Sequence, residues 1–393
     1  MTAAPPLSLT AAEEALLADL PEGPVKDRLA TEGLPSRRTE AWRWSDIRAA
    51  LSSAYSPSAP LASTVPPSLW PEEEAFVVLL GNGRATVPAD VPEGVTITRE
   101  PGRPEIIGDA PLASLLTAKE GLSLTLAPGV SATIVLRRMS DGEGYHGDRV
   151  RIGVAEGAHL RLIETHEVAG GGAFSNSLTD IDLADGAHLD RFVLQPAAQG
   201  IIAGLARLRR TATGSARIRQ LVLSGGAKLS RHETLISGGH ADIILDGLYR
   251  LSEERHADLT SLIDHEGPDG RTRQLVKGIV GDQGRGVFQG KFRVDRKAQR
   301  TDAQMSHHAL LLSEGAQVSA KPELEIYADD VECAHGNSVG ALDDEALFYL
   351  RQRGVREEAA RELLIGAFAG EVLNRIEDED FRRVAEDIWK GMS

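Results

Sequence analysis

"EGAHLRL", residues 156–162, and "DGAHLDR", residues 185–191, are near copies of one turn, and their glycines Gly157 and Gly186 lie 29 positions apart. Looser versions extend the series: "TGSARIRQ" brings Gly214 another 28 positions along, and "EGAQVSA" carries Gly315. Between the turns run short β-rich stretches such as "ATIVLRR", "RVRIGVA", "HLRLIETHEV", "HLDRFVLQ", "RIRQLVLS" and "ADIILDGLYRL". Self-similarity at a period in the twenties is what stacked rungs leave in a sequence, because each strand–turn unit buries its inner face only against its neighbours. A sandwich of antiparallel sheets also has short strands and frequent turns, but nothing in it returns one turn at a near-constant interval. The reading is a mainly β chain built on a β-solenoid.

The flanks have a different texture. Thr10 and Glu13 form a capping-box pattern ahead of a first helix, broken by Gly23 and Pro24, and a second helix ends near Gly33. "GLPSRRTEAWRWSDIRAAL", 33–51, holds Trp42 and Trp44 and reads as an amphipathic segment that buries aromatic area against the core. Residues 56–72 are rich in proline and serine and read as a connector. After 342, Asp343 and Asp344 open a helix with Arg351 and Arg353 in its last turn and Gly354 as its stop. A longer helix follows with Ala360, Leu364, Phe368 and Val372 on one face, then a last one with Phe381, Val384, Ile388 and Trp389. These three helices can bury little alone and are expected to dock on the solenoid's end. The expected division is a helical region with connector over 1–110, the solenoid over 111–342 and a helical region over 343–393.

Composition narrows the function. Lysine plus arginine number 43 against 58 aspartates and glutamates, a net charge of −15, which argues against a phosphate backbone as partner. No lysine or arginine precedes Lys26, and the longest apolar run is "AFVVLL" at 75–80, so neither a secretory signal nor a membrane span is expected; the expectation is a cytoplasmic chain. "GRGVFQGKF" leaves only three residues between Gly286 and Gly290 and has Phe292 where a P-loop needs Ser or Thr. No H-E-x-x-H or C-x-x-C pattern occurs, so the chain is not expected to be an enzyme.

The chemistry concentrates in "DDVECAHGNSVGALDDE", 329–345, which holds Cys333, the only cysteine, two positions before His335. On an extended segment that spacing puts both side chains on one face. With Asp329, Asp330 and Glu332 nearby, the donor types suit iron or zinc, yet one thiol and one imidazole leave a site short of ligands. The alternative is a small buried cysteine with no ligand role. Among the other histidines, His159 and His188 fall in the repeated turn, His307 and His308 must face opposite ways on a strand, and His265 reads as a turn residue. Glu323, Glu325 and Asp329 offer carboxylates that a β-helical polysaccharide-degrading enzyme would use, but the chain is only 4% aromatic.

Residues 286–354, and within them "KPELEIYADDVECAHGN" at 321–337, resemble the core of the SufB/SufD family of iron–sulfur cluster assembly proteins. "DHEGPDGRTRQLVKGI" resembles the stretch leading into that core, and "GLPSRRTEAWRWSDIR", 33–48, is similar to the amino-terminal signature of the SufD branch. The resemblance implies a right-handed parallel β-helix flanked by two helical regions, and a cytoplasmic complex with SufB and the ABC-type ATPase SufC. In it the carboxy-terminal helices would dock SufC and the late strands would pair with SufB. It further implies that His335 helps hold a nascent iron–sulfur cluster at the SufB interface, with Cys333 a secondary candidate, and that this chain alone binds no cofactor tightly. A purely structural adaptor is the competing reading. Homodimerisation of the isolated chain, a flavin on the complex, the electron source and the cluster type are left open by these residues.

Overall fold

The computed structural model describes residues 8–51, 55–61, 65–71, 75–108, 110–210 and 215–392. The turn at Gly214 and parts of the 56–72 connector fall outside them. From Ser131–Asp141 onward, successive strands alternate between a ten-stranded and a nine-stranded sheet, so strands two apart in sequence pair in parallel. The result is a parallel β-solenoid of about seven turns. The repeated turn is its register mark: His159 stands opposite His188, and His188 opposite Arg217.

Alternation along each strand sorts the side chains. Leu160, Leu162, Leu189 and Val193 face the lumen, where they meet Val150, Ile152 and Ile181 of the other sheet. Part of that lumen is polar and closed: Arg138 ion-pairs with Asp148 and Glu164, and Glu164 also holds Arg191. Each of these four side chains is almost fully buried, and every charge faces an opposite one, as burial of charge demands.

Strands begin earlier than the change of texture suggests. "AFVVLL" forms most of the strand Phe76–Gly81, which pairs in parallel with Ser131–Asp141, while Arg84–Thr86 turns back antiparallel on it. Val95–Glu100 pairs antiparallel with Gly121–Leu126 and ends the second sheet. A helix, Pro111–Thr117, intervenes with proline in its first turn and its residues 112–117 all buried.

The amino-terminal helices Ala11–Ala18 and Pro24–Glu32 form as the caps predict; both halves of the Thr10–Glu13 capping box are present and Gly33 ends the second helix at a φ of 68°. The carboxy-terminal helices are Asp344–Gln352, Glu357–Leu373 and Glu379–Gly391. Glu357–Leu373 and Glu379–Gly391 depart from expectation by lying across the outer flank of the ten-stranded sheet, not on the solenoid's end. The sheet explains this, because its outer row Val135, Ile163, Phe192 and Leu221 is as apolar as its inner one and packs with Ile365, Ala369, Val372 and Phe381. The buried stripe of the long helix also shifts from the expected face to Ala360, Ile365, Ala369 and Val372, because steps of four drift by about 40° each on a helix of 3.6 residues per turn.

Candidate functional site

The two ends of the solenoid differ. The antiparallel strands close the first; at the other, Gln317–Ile326 and Glu332–Gly340 are the last strands of the two sheets, and no described strand pairs with their far edges. Ile326, Tyr327 and Val339 are exposed here.

Glu332–Gly340 lies in parallel on Asp302–Leu311, with Cys333 opposite Ala303, His335 opposite Met305 and Asn337 opposite His307. Ala303, Met305 and His307 are buried and face the lumen. Cys333, His335 and Asn337 therefore continue the inward row one rung past the closed core, where His335 and Asn337 are exposed. Cys333 is half-buried against Ala298, Ala328 and Val294, and that burial pushes its thiol above the ordinary value, an effect the nearby Asp302 carboxylate reinforces. The thiol form dominates near neutral pH, so Cys333 is a weak ligand in the isolated chain.

The neighbouring carboxylates do not join this face. Glu332 alternates to the other side of the strand, and Asp329 and Asp330 belong to the preceding turn, whose backbone bonds Gln299 and Arg300. Among the described residues no three His, Cys, Asp or Glu side chains converge on a metal-sized site. Glu325 is held by Lys291 at 2.6 Å and Glu323 by Lys321 at 3.0 Å. Lys291 itself sits on the strand Arg285–Val294, not on a phosphate-binding loop.

The histidines separate as alternation requires. His307 is buried in the lumen and His308 points outward to Ser338 Oγ at 2.7 Å. His159 bonds Asp190 at 2.7 Å beside His188. His265 departs from the turn reading: it ends the strand His256–His265, is buried near Thr272 Oγ1, and desolvation lowers its pKa to about 4. The segment around Trp42 docks as expected, with Trp42 buried and Trp44 half-buried, its carbonyl 3.1 Å from His256 Nε2.

A family model described as the SUF system FeS cluster assembly, SufBD core domain, matches residues 137–368, more than half of the chain. The chain belongs to the SufBD family. It is 31% identical over 386 residues to the iron–sulfur cluster assembly protein SufD of Escherichia coli K12, covering 91% of this chain and 88% of that protein. It is 29% identical to protein ABCI7, chloroplastic, of Arabidopsis thaliana, with 91% and 82% covered. A SufBD family protein of Synechocystis is 41% identical over 162 residues, 41% of this chain and 36% of that one. The likeness to SufD along almost the whole length makes this a SufD-family iron–sulfur cluster assembly protein. The open rung lies inside the matched core. Asn337 and the buried His307 beneath it were not singled out from sequence as site residues, although the spacing of two that joins Cys333 to His335 runs on to Asn337. No helix among the described residues is long and apolar enough to cross a membrane.

Proposed function

We propose that this SufBD-family chain is a non-catalytic subunit of a cytoplasmic assembly complex, whose terminal rung pairs with SufB and supplies one half of a shared site for a nascent iron–sulfur cluster. The observation that carries this reading is the inward row Cys333–His335 on an open solenoid end, with no third donor among the described residues. Half a donor set on an unpaired edge suits a site completed by a second subunit, since a free edge accepts another strand through its backbone groups. His335 is the principal ligand candidate, exposed and two residues along from the partly covered thiol.

The second contact in this proposal is SufC. Phe348, Tyr349 and Leu363 are exposed on the helices Asp344–Gln352 and Glu357–Leu373, whose other sides are committed to the fold. Exposed apolar side chains on these two helices fit a docking face.

Anaerobic iron and acid-labile sulfide content of the complex co-purified with SufB and SufC tests the reading, comparing native chain with His335→Ala. An assembled complex that loses iron and sulfide supports the shared site. Unchanged loading makes the chain an adaptor whose last strand contributes packing alone.

A further inference from the structure

Beneath the open rung the lumen holds a stack of three rings. His307 lies parallel to Phe288 with 4.9 Å between centroids and close to parallel with Tyr249 at 6.2 Å. All three are fully buried. Tyr249 reaches this position because two glycines leave it room: a Cβ on Gly278 would stand 2.1 Å from its Cζ, and one on Gly286 would stand 2.5 Å from its Cε2.

The Tyr249 hydroxyl is 3.0 Å from His307 Nε2, and His307 Nδ1 is 2.7 Å from Asn337 Oδ1. A buried hydroxyl whose partner is a ring nitrogen donates to it, since accepting would leave its own hydrogen unsatisfied. Nε2 is then the acceptor, the imidazole carries its hydrogen on Nδ1, and Asn337 Oδ1 accepts. Burial keeps this imidazole neutral by lowering its pKa to about 4, so the arrangement holds at neutral pH. The Asn337 carbonyl is thereby turned inward, and its Nδ2 hydrogens have no partner among the described residues.

Asn337 shares the face of His335 and Cys333. We propose that Asn337 donates a hydrogen bond to sulfur at the shared site, a sulfide of the cargo cluster or a thiolate that holds it, and that His307 positions it for that bond. The inference rests on the function proposed above and adds a donor that is not a metal ligand. Hydrogen bonds to cluster sulfur stabilise its negative charge and raise the reduction potential, so the pair tunes the cargo without touching iron.

Two experiments test it. In the isolated full chain, imidazole nitrogen chemical shifts, with the His307 signal assigned by His307→Gln, are expected to show Nδ1–H and unprotonated Nε2, and Tyr249→Phe is expected to shift that balance. A native Nε2–H signal overturns the positioning role independently of any cluster. In the anaerobically reconstituted complex, Asn337→Leu is expected to lower the cluster's reduction potential or to lose the cluster, and Asn337→Ser, which keeps a donor, to recover it. Unchanged potential and content in Asn337→Leu, or no recovery in Asn337→Ser, overturns the donor role. The His335→Ala complex is the control: its loss of iron and sulfide leaves the shared site standing in either case, and its unchanged loading overturns both readings.

Discussion

Arg231 Nη1 stands 2.6 Å from Asp258 Oδ2 on the outer face of the nine-stranded sheet, and neither side chain has more than 2% of its surface exposed. Trp42 closes over the pair, its ring centroid 4.2 Å from the guanidinium carbon, while the Ala41 carbonyl accepts from Arg231 at 3.0 Å. The amino-terminal segment is thus fastened to the solenoid by a buried charge pair under an aromatic lid. Removing Asp258 leaves the buried Arg231 only the Glu233 carboxylate at 3.3 Å as a charge partner, so Asp258→Ala is expected to lower stability by about 1–3 kcal/mol. Replacing both with leucine is expected to recover most of that loss, because a buried pair and an apolar pair of similar volume are close in energy. Urea unfolding of the single and double variants measures this, and additive losses would contradict it.

Asp246 gives a stability term of unusual sign. It sits in the outer row between Leu221 and Leu275, beneath the carboxy-terminal helices, and pairs with Arg375 at 2.8 Å. Burial outweighs that partner and raises its pKa from 3.8 to about 6. The folded state therefore binds the proton more tightly than the unfolded state between those values. Its contribution is most favourable below the window and falls as pH rises through it, by up to about 3 kcal/mol. Asp246→Asn lacks this dependence, so native stability minus variant stability is expected to decrease across the window. A difference that stays flat with pH counts against the assignment.

His232 behaves in the opposite way. It lies in the lumen with Nε2 2.9 Å from Gln195 Oε1 and its ring edge-on to His166, and burial, reinforced by Arg191, lowers its pKa from 6.5 to about 4. The unfolded chain takes a proton near the ordinary value while the folded chain resists it. The neutral-histidine contribution is complete above 6.5 and is lost as pH falls toward about 4. Denaturation at about pH 7.5 and about pH 5 is expected to show the native advantage over His232→Gln shrinking by about 2 kcal/mol on acidification.

The near-identical turns at Gly157 and Gly186 were legible because a solenoid repeats its local chemistry in register, so sequence spacing and spatial stacking are the same quantity. The capping box at Thr10 and the stop at Gly33 were legible because caps are local. The flank docking of the last helices was not. Strands such as "HLDRFVLQ" bury both faces, and a run of apolar residues does not say whether the second face meets a lumen or a helix. Cys333 and His335 were paired by spacing alone, while the exposure of His335 depends on the rung being the last, a property of the stack and not of the stretch. Tyr249, His307 and Asn337 were invisible as a unit because they come from three strands of one sheet with the strand Arg271–Val280 between the first two, and only the room left by Gly278 on that strand and by Gly286 brings the first to the second.

Phe348 and Leu363 separate docking from folding. Phe348 is 61% exposed and Leu363 is 56% exposed, so neither takes part in the burial of Leu347, Ile365 and Ala369 on their helices. Surface substitutions away from packed features usually change stability by less than about 0.5 kcal/mol. A charge placed in an apolar docking face must instead be desolvated on binding or left unpaired, which weakens association by roughly tenfold or more per site. Phe348→Asp and Leu363→Asp are therefore expected to leave the unfolding midpoint nearly unchanged while lowering affinity for SufC, measured by calorimetric titration of the purified proteins. Native affinity in the double variant would place the SufC contact elsewhere on the chain. Loss of affinity together with normal pairing to SufB would assign the helices and the open rung to separate partners.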